Sequence, residues 1–415
     1  MPCSVSRRRF LAALPVTLPV VFACTLGTPM ARAQGAPRRP SLEPIRIGVS
    51  GPFTGGSSPM GISMREGIRI ASRHINAGGG LLGRPIELVE RDDEARNEVG
   101  AQLAQALIQK EGIVAALGIV NTGVALASQR YYQLARIPMI TSVATGTLIT
   151  RQFLPPEFPD NYIFRVSAND SLQARVIVDE AVDRRGLRRL AIFHDATNYG
   201  VLGKEDLIAE LQRRSITPVA VERFQLQQAD MSTALQAARA AGAEAILTYG
   251  IGPELAQIAN DLARLNWRVP IIGSWTLSMS NFIDNAGPNA EGARMPQTFI
   301  QDPSTPMRRD FLEAWQQATG AQRIPVPPAA AQGYDSALLL AQAIRQANSL
   351  EGPRIRDALE NLSTPVPGVI MAYLRPYSRD QHETLTTPQQ ILMGEVRGGR
   401  VIFAYDEDRQ RAVRS

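Results

Sequence analysis

The chain has 415 residues, 44% of them hydrophobic and 20% charged, an ordinary composition for a soluble globular protein that excludes disordered classes and, by length, favours two domains. Of its 44 basic residues, four (Arg7, Arg8, Arg9 and Arg32) lie in the first 33 positions, where there is no acid, so the remainder carries 40 basic against 39 acidic residues. That near-neutrality gives no support to nucleic acid as a partner.

Both cysteines, Cys3 and Cys24, fall in the same first segment, so a chain shortened there has no thiol and no disulfide. His74, His194 and His382 are far apart, and nothing with ligand spacing supports a metal site or a cofactor. Residues 1–33 read as a secretory signal. Ser6-Arg7-Arg8-Arg9-Phe10-Leu11 precedes an apolar stretch to Leu26, and Ala31-Arg32-Ala33 supplies a small-residue cleavage site before Gln34. The segment resembles a twin-arginine export signal and implies a periplasmic location. Pro15 and Pro19 interrupt the apolar run, which argues against a membrane anchor. Val21-Phe22-Ala23-Cys24 weakly resembles a lipoprotein processing site, but Phe22 fits it poorly and cleavage after Ala33 is preferred. Residues 34–44, rich in Pro and Arg, read as a disordered tether.

Ile45 to Ser50 is predicted as the first strand, followed by a Gly/Ser-rich loop and a helix over about Ser63 to Asn76. Gly78-Gly79-Gly80 follows that helix and precedes a strand at Ile86 to Glu90, closed by Asp92-Asp93. A phosphate loop follows a strand and opens a helix, so these glycines are a cap and turn. After a helix over Val99 to Lys110 comes the stretch around which the chain is organised. Ile113 to Leu117 is a short apolar run, Gly118 to Gly123 a turn, and Val124, Ala127, Tyr131 and Leu134 recur with helical spacing before a second strand at Ile137 to Thr141. The crossover is long enough to be parallel, which puts the turn at the carboxyl edge of a parallel sheet, where ligands bind. Asn121 or Thr122 would cap the helix and leave backbone N–H groups open to a carboxylate, while Thr141, Ser142 and Thr145 bring hydroxyls to the same edge.

The pattern restarts at Asn161. Strands are predicted at Tyr162 to Val166, Leu190 to Phe193, Thr217 to Glu222, Ala245 to Thr248 and Val269 to Ile272. They alternate with helices from Ser171, from Tyr199, from Asp230 as N-cap and from Pro253. This alternation predicts a second doubly wound α/β unit. Beyond Pro288 come helices over Met307 to Thr319, Pro328 to Asn348 and Pro353 to Asn361. Strands at Gly368 to Leu374, Gln390 to Val396 and Val401 to Ala404 lack helices between them, as antiparallel edge strands or hinge segments would, and Arg375 to Thr387 reads as a polar loop.

The order of elements and several local motifs resemble the leucine/isoleucine/valine-binding family of periplasmic solute-binding proteins of ABC importers. The match is carried by Ile47-Gly48-Val49 with Gly51-Pro52, the run from Ile75 to Pro85, Asp92-Asp93, Gly118 with Gly123, Pro138-Met139-Ile140-Thr141, Phe164-Arg165, Tyr199-Gly200, Asp230, Gly333-Tyr334-Asp335 and Gly398-Gly399-Arg400. The resemblance implies the type I periplasmic binding fold: two α/β lobes, each a doubly wound parallel sheet, joined by a three-crossing hinge near Val166, Thr298 and Leu392. Lobe 1 would be residues 45–166 plus 298–391, and lobe 2 residues 167–297 plus 392–415. It implies a monomer that carries a small-molecule ligand in the cleft and delivers it to the membrane permease subunits of an importer. Ligand contacts implied by position are Asn121, Thr122, Ala144 and Thr145 in the first lobe, with Tyr199 and Gly252 in the second.

Two positions depart from the family. The loop aromatic of amino-acid binders aligns with about Met60, and the acidic residue that pairs with the substrate ammonium aligns with Trp275, leaving Asp195 as the nearby carboxylate. A buried ammonium without a carboxylate is costly, so an aromatic or aliphatic carboxylate, or a related amide, is expected ahead of a free amino acid. Inter-lobe packing is the competing role for Trp275, and helix capping the competing role for Asp195. A Rossmann dehydrogenase fails because Gly48-Val49-Ser50-Gly51-Pro52 lacks the glycine order of a dinucleotide loop, and no Gly-x-Ser-x-Gly elbow supports a hydrolase. A sensory receptor of the same fold is the remaining alternative.

Overall fold

The computed structural model describes residues 43–154 and 156–414. The signal segment, with Cys24 and Ala33, and all of the tether except Glu43 and Pro44 lie outside the described residues. Among the described residues no helix is long and apolar enough to cross a membrane, and no cluster of His, Cys, Asp and Glu could hold a metal ion.

Strand β1 (Ile45–Gly51) leads through α1 (Ser58–Ala77), β2 (Ile86–Asp92), α2 (Asn97–Gln109), β3 (Ala115–Gly118), α3 (Thr122–Ala135) and β4 (Met139–Thr141) to β5 (Ile163–Arg165). These strands form a parallel sheet in the order β2-β1-β3-β4-β5. Runs such as Ala115–Gly118 are buried throughout, as strands covered by helices on both faces must be.

The chain then builds α4 (Asp170–Val178), which continues as a π-helix over Asp179–Arg184, β6 (Leu190–Asp195), α5 (Asn198–Gln212), β7 (Ala220–Phe224), α6 (Ser232–Ala240), β8 (Ala245–Tyr249), α7 (Gly252–Arg264), β9 (Ile271–Gly273), α8 (Ser280–Ala286) and β10 (Arg294–Gln297). It returns through α9 (Pro306–Thr319), α10 (Pro327–Ala347) and α11 (Gly352–Glu360), which pack with the first sheet. After a hairpin of β11 (Val366–Pro367) and β12 (Ala372–Tyr373), β13 (Leu392–Arg397), β14 (Arg400–Phe403) and α12 (Asp406–Arg414) finish the chain. The second sheet runs β14-β13-β10-β9-β8-β6-β7, with β13 and β14 antiparallel at one edge. The chain passes between the two sheets after β5, after β10 and before β13.

Helices α1 and α10 cross in backbone contact. A Cβ on Gly67 would lie 2.0 Å from the Ala330 carbonyl oxygen, and one on Gly333 2.3 Å from that of Met64, so each helix needs a glycine where the other passes.

The structure departs from the sequence expectations at four places. Asp230 does not occupy the N-cap of α6; Met231 does, and the Asp230 carboxylate accepts from Ser232 N (2.8 Å) from outside the helix. β10 was not foreseen, because Arg294 and Pro296 break the apolar pattern; pairing with β9 at Arg294 and with β13 along its length supplies what propensity does not. The strand expected over Gly368 to Leu374 is only the short arm β12 of a hairpin.

The fourth correction concerns Arg375 to Thr387, which is not a solvated loop. Tyr377, His382, Glu383, Thr384 and Leu385 are buried, and the segment runs alongside β5, with Glu383 bridging to Arg165. Arg165 is fully buried; its Nη1 donates to the carbonyls of Thr145 (3.1 Å) and Gly146 (2.7 Å), and its Nη2 pairs with Glu383. Glu383 also accepts from Thr150 Oγ1 (2.6 Å) and Asn169 Nδ2 (2.5 Å). Asn169 in turn caps α4 through Leu172 N (2.8 Å). One buried ion pair thus ties the end of β5, the loop after β4 and the first hinge crossing together. The charge of Arg165 holds the Glu383 carboxyl below its usual range against burial.

Candidate functional site

The carboxyl ends of both sheets face one another across a cavity of about 620 Å³, within the range typical of small-molecule sites. Its walls are helix N-termini from both lobes. Asn121, Thr122 and Gly123 come from α3, Thr197, Asn198 and Tyr199 from α5, and Ile251, Pro253 and Glu254 from α7. The lobes touch around it: Asn281 Nδ2 donates to Gly56 O (2.9 Å), Thr147 Oγ1 to Asp206 (2.9 Å), and Asn97 Nδ2 to Asn198 Oδ1 (3.5 Å). A Cβ on Gly123 would lie 2.5 Å from Asn97 Oδ1 and 2.7 Å from Asn198 Oδ1, so a glycine at this point permits the approach.

The N-terminus of α3 is open. Asn121 sits at the N-cap with extended backbone, yet its side chain makes no capping bond; Nδ2 donates to Ser57 Oγ (3.1 Å), and the buried Oδ1 has no partner. First-turn N–H groups without a capping side chain, at the positive end of the helix dipole, suit an anion. Thr122 Oγ1 accepts from Gly146 N (3.3 Å), which joins this turn to the loop after β4. Asp92 and Asp93 prop the neighbouring loops. Asp92 accepts from Phe53 N and Thr54 Oγ1 (both 2.8 Å), and the fully buried Asp93 accepts from Ala95 N (3.0 Å), its carboxyl pushed up to about 7 by burial.

A second, small chamber of about 10 Å³ lies at the hinge end of the cleft, lined by Thr145, Gln173, Trp275, Gln297, Thr298 and Gln332 among others. Thr145 and Trp275 therefore border this chamber, whereas Asn121, Thr122 and Tyr199 border the large cavity. The Tyr199 ring, at the large cavity, packs on the Tyr249 ring (5.0 Å between centroids), which reaches Asp170. Asp170 is fully buried, its Oδ1 accepts from Tyr249 Oη (2.8 Å), its Oδ2 has no partner, and burial raises it to about 7, with the Thr145 hydroxyl working the other way. Tyr199 Oη makes no hydrogen bond of good geometry, although the hydroxyls of Ser274 and Thr276 face it.

The remaining predicted contacts lie outside both cavities. Met60 is in the first turn of α1, buried in the core; the aromatic of the preceding loop is Phe53, with Arg65 over its ring at 4.2 Å. Ala144 is buried, its N–H donates to Ile119 O (3.1 Å), and its carbonyl accepts from Ser167 Oγ (2.9 Å). Gly252 opens α7, where a Cβ would meet Asn281 Oδ1 at 2.3 Å. Asp195 is fully buried and its Oδ1 accepts from Thr197 N (2.9 Å) and Thr197 Oγ1 (2.5 Å); burial raises it to about 6, and it supports the turn into α5. Trp275 packs into the apolar cluster that includes Met60, Met64 and Val120 of the first lobe, so it combines inter-lobe packing with the chamber wall. Sequence reasoning missed Glu254, Asp170 and Gln332. Glu254 lines the large cavity with Oε1 held by Gln227 N (2.6 Å); its signal was an acid in the first turn of a helix at the carboxyl edge of a strand.

A family model described as periplasmic binding protein matches residues 44–399. The chain is 26% identical over 333 residues to the Leu/Ile/Val-binding protein homolog 3 of Brucella melitensis, covering 80% of this chain and 84% of that protein. Among solved structures, a leucine binding protein from Thermotoga maritima superposes with a TM-score of 0.76 at 23% identity, covering 87% of this chain and 98% of that one. A solute binding protein of an ABC transporter from R. palustris, in complex with benzoate, superposes with a TM-score of 0.73 at 20% identity, covering 87% and 95%.

Proposed function

The chain belongs to the periplasmic binding protein family, and we propose that it is the solute-binding component of an ABC importer, exported through its N-terminal signal, that holds a small carboxylate between its lobes and hands it to the permease subunits. The observation that carries this reading is the uncapped N-terminus of α3, which opens into the inter-lobe cavity at Thr122 and Gly123. Each charge-assisted hydrogen bond there contributes roughly 1.5–3 kcal/mol. Asn121 has its Nδ2 committed to Ser57 and its Oδ1 can only accept, so the backbone N–H groups and the Thr122 hydroxyl hold the anion.

Relatives differ in ligand: the Thermotoga protein is described as leucine-binding, and the R. palustris structure contains benzoate. Here Trp275, Ile251 and Tyr199 bring apolar surface to the cleft, and Asp195 is committed to Thr197. This supports an aromatic or aliphatic acid, or a related amide, ahead of a free α-amino acid. Calorimetric titration of leucine against 4-methylpentanoate, and of phenylalanine against 3-phenylpropanoate, tests it. The des-amino member of each pair should bind more tightly; tighter binding of the amino acids would instead assign the ammonium to Glu254 or Asp170.

A further inference from the structure

The hinge-end chamber is bordered by two buried side chains that each carry a polar atom without a partner. Trp275, from the second lobe, is 6% exposed, and its Nε1–H donates to nothing among the described residues. Gln332, on α10 of the first lobe, is 3% exposed; its Nε2 donates to Thr298 Oγ1 (3.0 Å), while its Oε1 accepts from nothing. The other chamber amides are committed: Gln173 Oε1 accepts from Trp275 N (3.2 Å) and its Nε2 donates to Ala168 O (3.0 Å), while Gln297 Nε2 donates to Pro296 O (2.8 Å). Two side chains from opposite lobes, one with an unpaired donor and one with an unpaired acceptor, therefore border a space of about 10 Å³, close to the size of a single water.

We propose that this chamber reads a hydroxyl of the ligand, which accepts from Trp275 Nε1–H and donates to Gln332 Oε1, so that one oxygen atom bridges the two lobes. A carboxylate would satisfy Trp275 but face Gln332 oxygen to oxygen. An ammonium would satisfy Gln332 but confront the indole N–H. A methyl group would leave both buried groups unpaired, and a carboxamide is too large for the space. Of these ligand groups, with Gln332 oriented by its bond to Thr298, only the hydroxyl combines the size with both roles. The proposal rests on the carboxylate reading above, because the hydroxyl occupies the end of the cleft remote from the large cavity.

The test compares acids that differ by hydroxyl against methyl: 4-hydroxybenzoate against 4-methylbenzoate, and 4-hydroxybutanoate against pentanoate, titrated calorimetrically into the mature protein. Phenol, which has no carboxylate, is followed by the Trp275 indole N–H resonance, assigned with Trp275→Phe. The hydroxyl acid should bind about a hundredfold more tightly than its methyl partner, since a site built around a hydroxyl strongly rejects the analogue lacking it. Gln332→Leu and Trp275→Phe should each bring that ratio to within about threefold. Methyl acids that bind as tightly as their hydroxyl partners overturn the chamber and leave the carboxylate reading standing. Phenol that shifts the indole resonance while no acid binds keeps the chamber and removes the carboxylate reading. Silence of all four acids and of phenol overturns both.

Discussion

Replacing Glu383 by alanine should be among the most damaging single changes outside the core. Arg165 is fully buried, and its remaining hydrogen bonds go to the neutral carbonyls of Thr145 and Gly146. Removing one partner of a buried ion pair costs about 3–5 kcal/mol, because the other charge stays desolvated. Thr150 and Asn169 lose their acceptor as well, which adds about 1 kcal/mol each. Against a total stability on the order of 5–15 kcal/mol, that is a third or more. Arg165→Met combined with Glu383→Leu removes both charges and should recover part of the loss, though not all, since the two carbonyls then lack donors. Urea denaturation of the wild type, both single variants and the double variant gives the coupling energy. Loss of less than about 1 kcal/mol in Glu383→Ala, or a coupling near zero, would show that this pair does not hold the hinge.

Thr147→Val removes the cross-lobe hydrogen bond to Asp206 (2.9 Å) and should weaken ligand binding about tenfold or more by depopulating the closed arrangement; calorimetry checks this, and an unchanged Kd counts against it. Gly333→Ala places a Cβ 2.3 Å from the Met64 carbonyl oxygen and should cost about 1–3 kcal/mol by forcing α1 and α10 apart, visible as a lower Tm; an unaltered Tm contradicts the helix contact. For pH, burial raises Asp93 and Asp170 to about 7 and Asp195 and Asp335 to about 6 from an ordinary 3.8. The folded protein therefore holds protons that the unfolded chain has released, and stability should fall as pH rises from about 4 to about 7. Glu383, held low by Arg165, contributes stability that disappears only as pH falls below the ordinary carboxylate range. The Tm should be higher at pH 5 than at pH 8, and the reverse order would show that these carboxylates are not protonated in the fold.

Much of the architecture was legible because parallel strands covered on both faces leave short apolar runs, as at Ala115–Gly118 and Leu190–Asp195. Helix starts at the carboxyl edge, such as Thr122 and Asn198, follow those runs directly, which is why Asn121, Thr122 and Tyr199 could be placed. β10 was hidden because its stability comes from two neighbours rather than from its own four residues. The segment from Arg375 to Thr387 misled because its polar side chains look solvated; the partner that buries Glu383 is Arg165, 218 positions away. Asp170 lies just before the helix expected from Ser171, and only the fold brings Tyr249 to it. Gln332 was missed inside an apolar helix, although a lone amide between Ala329-Ala330-Ala331 and Gly333 was itself a signal of a buried polar partner.

The central claim is that the open N-terminus of α3 holds the ligand's carboxylate. A crystal structure of the mature protein with whichever carboxylic acid titrates most tightly tests it most directly. Carboxylate oxygens should lie within about 3 Å of the first-turn N–H groups of α3 and of the Thr122 hydroxyl, with the rest of the ligand directed toward Trp275. A carboxylate bound elsewhere in the cleft, with Thr122 and Gly123 facing only water, would contradict it.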